Sequence, residues 1–171
     1  MQKTNINSTA VMTITALLMA VNVALSSFGV PVPGGRLYLN DIVIVLAALL
    51  LGPFEAFMVG GVGAFLGDFF FYPAPMFVSL VTHGLQAVVI SLCSQRILKK
   101  QPFFASLIGV SLGVIIMVAG YSLGRAFVYG TPEYAILKLP FQFLQATVGA
   151  VIGMLLYWKY GIKDFFQRRL R

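Results

Sequence analysis

The sequence predicts an all-α membrane protein in which six transmembrane helices form one bundle, with the N- and C-termini cytoplasmic. Three observations carry this reading. Of the 171 residues, 59% are hydrophobic and only 10% charged, where a soluble domain has roughly a quarter charged. Too few polar side chains remain to cover a water-soluble fold. Apolar runs long enough for a bilayer recur along the chain, and the basic residues gather between them in a way that assigns sides. Residues 1–171 are therefore read as a single integral-membrane domain.

The first run, Ala10 to Phe28, follows Lys3 and could pass for a secretory signal with "ALS" as a weak cleavage site. It is read instead as the first transmembrane helix. The second, Asn40 to Leu51, reaches only ~18 Å as a helix, which by length alone suits a re-entrant segment as well as a span. The others run from Phe54 to Phe71, Met76 to Ile97, Phe103 to Tyr129 and Ile136 to Tyr160.

Charge decides the second run. If all six cross, Lys3, Arg96, Lys99, Lys100, Lys159, Lys163, Arg168, Arg169 and Arg171 fall on one side, and Arg36, Arg125 and Lys138 on the other. That asymmetry obeys the positive-inside rule. Without the second crossing, the "RILKK" loop and the basic C-terminus would both lie outside. Turn signals agree: "LGPFEA" makes a tight inner turn, "YPAP" breaks the chain outside, and Pro132 and Pro140 punctuate the last outer loop. The first outer connection, "FGVPVPGGRLYLND", either folds over the outer mouth of the bundle or is a plain surface linker.

Several function classes drop out. The net charge of +7 lacks the soluble basic face that nucleic-acid binding needs, so no nucleic acid is expected. One cysteine, Cys93, and one histidine, His83, make neither an internal disulfide nor a Cys/His zinc cluster; no metal and no cofactor are expected. "GGVGAFLGD" lacks the G-K-[ST] ending of a phosphate loop. Uphill transport would then draw its energy from a partner or an ion gradient.

Small residues mark close-packing faces. Ala16, Ala20 and Ala24 form a stripe on the first helix, which either packs within the bundle or meets another subunit. Gly60, Gly61, Gly63 and Gly67 on the third helix, and Gly149 and Gly153 on the sixth, read as packing inside the bundle.

The polar intramembrane residues collect in the outer half. Ser79, His83 and Gln86 share one face of the fourth helix, and Gln142 and Gln145 form a pair on the sixth. Asp68, Asp41 and Arg125 stand near the outer ends of the third, second and fifth helices. Intramembrane ionisable groups are costly and face a cavity or a partner, so a one-sided cluster argues for a pocket open to the outside. Structural roles stand beside this: Asp41 as a cap for helix two, Asp68 paired with Arg36 or Arg125, and the glutamines as interhelical ties. Phe69, Phe70, Phe71, Tyr72, Phe77, Tyr38, Tyr129 and Tyr134 surround the zone as belt residues or as stacking partners for a flat ring.

"GYSLG", Gly120 to Gly124, matches G-x-S-x-G, and Ser122 with His83 would make the dyad of an intramembrane serine protease. That elbow requires a strand, a sharp turn and a helix, and these residues lie in a continuous apolar run where Gly120 and Gly124 read as helix packing. No catalytic residue is therefore assigned. A ligand-free membrane assembly protein is the other alternative.

The alanine stripe, the "LLGPFEAFMVGGVGAFLGDFFFYPAP" block and a polar fourth helix followed by "RILKK" together resemble the substrate-binding S component of an energy-coupling factor (ECF) vitamin transporter, over nearly the whole chain. The resemblance implies a multi-pass protein of the cell membrane, in contact with the lipid bilayer, that captures a water-soluble vitamin outside. It would deliver the vitamin for ATP-driven uptake through a transmembrane coupling subunit and two ATPase subunits. It also implies that Ala16, Ala20 and Ala24 meet the coupling subunit. The ligand is held in the regions containing Arg36, Tyr38, Asn40, Ser79, His83, Gln86, Tyr134, Lys138, Gln142 and Gln145. These are positions, since pocket residues differ between vitamins. With Trp158 at the cytoplasmic end and no Trp-rich pocket, thiamine is disfavoured. A pyridoxine-type vitamin or hydroxymethylpyrimidine is preferred, and riboflavin and pantothenate stay open.

Overall fold

A chain in lipid must satisfy its backbone N–H and C=O groups internally, and the apolar runs accordingly form helices. The computed structural model describes residues 8–97 and 100–170. Lys3, Lys99 and Arg171 of the charge argument lie outside the described residues, as does the Arg169 side chain. The helices are α1 (Ser8–Ser26), α2 (Asn40–Leu50), α3 (Pro53–Phe71), α4 (Met76–Arg96), α5 (Pro102–Tyr129), α6 (Pro132–Trp158) and α7 (Ile162–Leu170). Among the described residues, 5 of them are long and apolar enough to cross a membrane, and α2 is a shorter apolar helix.

Helix α2 sits at the centre. Ile44, Ala47 and Ala48 are 0% exposed, and α1, α3, α4 and α6 all pack on it. A helix surrounded by protein is apolar all round, which is why α2 carries no amphipathic pattern. Since lipid gives no hydrophobic drive for helices to associate, close approach between small residues holds such a bundle together. Gly60 of α3 abuts the His83 carbonyl and Ala87 of α4, Gly113 of α5 abuts Ile90, and Gly149 and Gly153 of α6 abut Asp41 and Val45 of α2. The glycine faces pack inside the bundle, as the sequence predicts. The alanine stripe does not. Asn22 and Ser26 are the buried residues of α1, with Asn22 Nδ2 donating to the Val59 carbonyl at 2.6 Å, while Ala16, Ala20 and Ala24 are exposed on the other face.

The Pro/Gly-rich connection after α1 is a β-hairpin, β1 (Val30–Val32) paired antiparallel with β2 (Gly35–Leu37). Pro33 followed by Gly34 at φ 77° is the pattern of a type II turn. The turn rests on α6: a Cβ on Gly34 would lie 2.9 Å from the Lys138 backbone nitrogen. Lys138 Nζ also donates to the Arg36 carbonyl. The hairpin thus folds over one end of the bundle, which settles the choice between mouth and linker. Gly34→Ala is expected to lower the thermal midpoint of the detergent-solubilised protein, because the left-handed backbone alone costs about 1–2 kcal/mol before any contact with α6. An unchanged midpoint would contradict the docking.

One local expectation is corrected. Pro132 and Pro140 do not mark the last outer loop: α6 begins at Pro132, ahead of the predicted Ile136, with the Thr131 hydroxyl accepting from the Tyr134 N–H at 3.5 Å, and Pro140 lies inside the helix. Proline is favoured at the first helical position, and an interior proline persists where neighbouring helices hold the segment. The chain after Tyr160 is also helical. Gly161 at φ 69° turns the chain between α6 and α7 in the left-handed conformation that glycine adopts readily, and α7 follows with Phe165 and Lys163 on an amphipathic segment.

Candidate ligand-binding site

Six helix ends and the hairpin meet in one recess of about 60 Å³. α1 contributes Ser26, the hairpin region Arg36 and Tyr38, and α2 Asn40. α3 contributes Asp68, and α4 His83. From α5 come Met117, Tyr121, Arg125 and Tyr129, and from α6 Lys138, Gln142 and Gln145.

One hydrogen-bond chain ties four of these elements together. Asp41 is 1% exposed and accepts from Gln145 Nε2 at 2.7 Å and from Gln86 Nε2 at 3.3 Å. The Gln145 carbonyl oxygen accepts from the Tyr38 N–H at 3.0 Å, and Gln86 Oε1 lies 2.7 Å from His83 Nδ1. With each amide nitrogen directed at the Asp41 carboxylate, His83 Nδ1 must be the donor to Gln86. His83 Nδ1 also lies 3.8 Å from Asp41 Oδ1. Asp41 is therefore a buried hub joining α2, α4 and α6; the cap of α2 shows no side-chain hydrogen bond.

A second chain borders the first. The Ser79 hydroxyl donates to Asp68, so the Tyr121 hydroxyl beside it must donate to Ser79 in turn. The Tyr121 ring meets the His83 ring edge-on at 5.1 Å. Among the described residues, Asp68 is thus held by Ser79 and shows no ion pair with Arg36 or Arg125. In a third group, Gln142 Oε1 accepts from Arg125 Nη1 at 2.9 Å while Gln142 Nε2 donates to the Val118 carbonyl at 2.7 Å. Arg125 lies 5.5 Å from the centre of the Tyr129 ring. Burial, with the Asp68 carboxylate nearby, pushes the Tyr38 phenol above its usual value, so that hydroxyl stays protonated at neutral pH.

Two lining atoms are buried with no protein hydrogen-bond partner: Asn40 Oδ1 and the Tyr129 hydroxyl. Buried polar atoms are nearly always paired, so these two are points at which the recess can still form hydrogen bonds.

Arg36, Tyr38, Asn40, His83, Lys138, Gln142 and Gln145 come together as lining residues. Ser79 and Gln86 are buried behind them and hydrogen-bonded to Asp68, Tyr121 and His83. Tyr134 is 58% exposed and lies outside the recess, because α6 starts early enough to turn it outward. The lining of Met117, Tyr121, Arg125 and Tyr129 was not assigned as a site from sequence. These residues recur every four positions on α5, the spacing of a single helix face, and that was the available signal. Phe69, Phe70, Phe71 and Phe77 are exposed, whereas Tyr38, Tyr72 and Tyr129 line the recess. Ser122 Oγ lies 3.4 Å from Gln142 Nε2 and is not hydrogen-bonded to His83 among the described residues. Gly120 and Gly124 abut Thr82 and Val78 of α4, which is the packing role.

The sequence of residues 6–161 matches the family described as the ECF-type riboflavin transporter, S component. The chain is 35% identical over 136 residues to a Pyrococcus woesei protein described as "uncharacterized protein in gap 3′ region", covering 78% of this chain and 89% of that one. It is 32% identical over 158 residues to the thiamine precursor transporter HmpT of Lactococcus lactis subsp. cremoris, covering 91% of this chain and 89% of that protein. A solved structure described as the S component of a bacterial ECF transporter superposes with a TM-score of 0.70 at 22% identity, over 95% of this chain and 100% of the other; at that identity the likeness concerns the fold. Helices suited to a bilayer, a polar recess at one end of the bundle and a match over almost the full length agree: the chain belongs to the family of S components of ECF-type transporters.

Proposed function

We propose that this protein binds a small water-soluble vitamin or vitamin precursor in the recess, and that a single-ring compound such as hydroxymethylpyrimidine or a pyridoxine-type vitamin is its ligand. The observation that carries this is the lining itself. Hydrogen-bonding side chains from separate helices converge on a small space, with Asn40 Oδ1 and the Tyr129 hydroxyl buried and unpartnered there. A few placed polar groups among aromatic walls is the usual plan of a small-molecule site. A recess of about 60 Å³ favours one ring over the three fused rings of riboflavin. The relative that transports a thiamine precursor supports the same choice. Arg36, Tyr38, Asn40, His83, Lys138, Gln142 and Gln145 are the proposed contacts, with Ser79 and Gln86 as positioning residues.

In this reading all six apolar helices α1 to α6 cross the cell membrane, both termini are cytoplasmic and the recess opens outward. Arg96, Lys100, Lys159 and Lys163 then fall on the inner side, as the positive-inside rule requires. ATP hydrolysis belongs to two ATPase subunits, reached through a transmembrane coupling subunit that docks on the exposed Ala16, Ala20 and Ala24 face of α1. Mass spectrometry of the small molecule released on denaturing the purified protein tests the proposal. A single-ring vitamin or precursor is expected; a flavin, or no vitamin at all, would overturn the assignment.

The docking face makes its own prediction. Ala16→Leu with Ala20→Leu is expected to abolish vitamin uptake in cells expressing the whole transporter, while leaving binding to the purified chain within about twofold. Equal loss of both would place the stripe in the bundle instead.

A further inference from the structure

At the end of the bundle opposite the recess, α5 and α6 part around a groove of about 720 Å³. Buried Val110 and Ala150 form its floor, and Leu107, Ile115, Leu155 and Trp158 line it. Along α6 the lining runs from Thr147 to Lys159, ~18 Å of helix. This is close to the ~15 Å that one leaflet contributes to a hydrocarbon core. Nearer the recess the same two helices are tied by the bond from Gln142 to the Val118 carbonyl. A partner's transmembrane helix would need a trough across both leaflets, whereas an acyl chain needs only one.

The mouth of the groove is cationic. Lys159 lines it, and Lys163 Nζ sits 4.3 Å from the centre of the Trp158 ring. Asp164 is the acidic residue in the first turn of α7, so these neighbours keep a net positive charge. Lys159 and the Lys163 ammonium over Trp158 stand at the end of the apolar lining, where a phospholipid carries its phosphodiester.

We propose that this groove binds one anionic phospholipid, its acyl chain lying between α5 and α6 and its phosphodiester held by Lys159 and Lys163. A basic cluster beside a membrane helix attracts anionic lipid, and here the apolar slot gives that attraction a fixed place.

Trp158 is the single tryptophan of the chain, so its fluorescence reports on this site. The full-length protein would be reconstituted in phosphatidylcholine vesicles containing, at equal mole fraction, either phosphatidylglycerol or phosphatidylcholine brominated on the acyl chain. Brominated phosphatidylglycerol is expected to compete for the site about fivefold better, and the Lys159→Gln, Lys163→Gln double variant to bring that ratio to about one. Equal quenching by the two lipids in the wild type would overturn the proposal, as would a preference that survives in the double variant. Crosslinking of the Leu155→Cys variant to a coupling-subunit helix in the assembled transporter would also overturn it, by assigning the groove to a protein partner.

Discussion

Replacing Asp41 by alanine is expected to abolish ligand retention and to destabilise the protein by about 2–5 kcal/mol. The carboxylate is almost fully buried and receives the amide nitrogens of Gln86 and Gln145 from two different helices. Alanine leaves both donors buried without a partner, each costing about 1–3 kcal/mol, and no water from the bilayer core can replace the lost acceptor. The effect reaches the recess. Gln145 would lose its hold and release the Tyr38 backbone, while Gln86 would no longer fix the ring of His83. Asp41→Asn, which keeps one carbonyl acceptor in place, is expected to lose less stability. Thermal unfolding in detergent, read beside the amount of ligand that co-purifies, separates the two variants. Alanine and asparagine behaving alike and close to wild type would contradict the hub.

Gly149→Leu is expected to prevent accumulation of folded protein in the membrane. A Cβ at this position would lie 3.1 Å from the Asp41 carbonyl carbon and 3.3 Å from its Cα. These are backbone atoms of the central helix and cannot swing aside as a side chain would. Overpacking commonly costs 1–3 kcal/mol, and pushing α2 away from α6 also breaks the bond between Gln145 and Asp41, so about 3 kcal/mol or more is expected. Leu144→Phe, on an exposed position of the same helix, serves as the control and should leave protein levels unchanged. Normal levels of folded Gly149→Leu protein would show that the two helices are not in contact there.

The helices were legible because a bilayer leaves few alternatives for an apolar run, and their ends fell near "LGPFEA" and "YPAP" as turn chemistry predicts. The exception was α6, where Pro140 reads locally as a break and the packed bundle overrides it. The early start at Pro132 brings Tyr134 into the helix and out to the surface. The hairpin was half legible: "PVPGGR" announces a turn, but its docking on Lys138 depends on a contact between residues far apart in the chain. Helix α7 is hidden by its charge, since Lys163 and Arg168 read as part of a basic tail rather than of an interfacial amphipathic segment.

The site divides in the same way. His83 with Gln86, and Gln142 with Gln145, stood out because amides and an imidazole are anomalous in a membrane helix. Asp41 read as a helix cap because an acidic residue at a helix start has an ordinary local use; only the fold shows Gln86 and Gln145 converging on it. The α5 face gives a weak signal because Tyr129 resembles a belt residue and Tyr121 lies inside the G-x-S-x-G match, so only the four-residue spacing joins them to Met117 and Arg125. Orientation toward a common centre is a tertiary property, and spacing on one helix gives only half of it.

The central claim is that the converging polar groups form a ligand site and are more than interhelical ties. Calorimetric titration of the purified chain with hydroxymethylpyrimidine, without ATP or any other subunit, tests it most directly when run beside the His83→Ala, Gln142→Ala double variant. The account predicts saturable one-to-one binding by the wild type and at least a tenfold loss in the variant, about 1.4 kcal/mol. Unchanged affinity in a folded variant would contradict it, as would a wild type that binds no vitamin while the variant loses only stability.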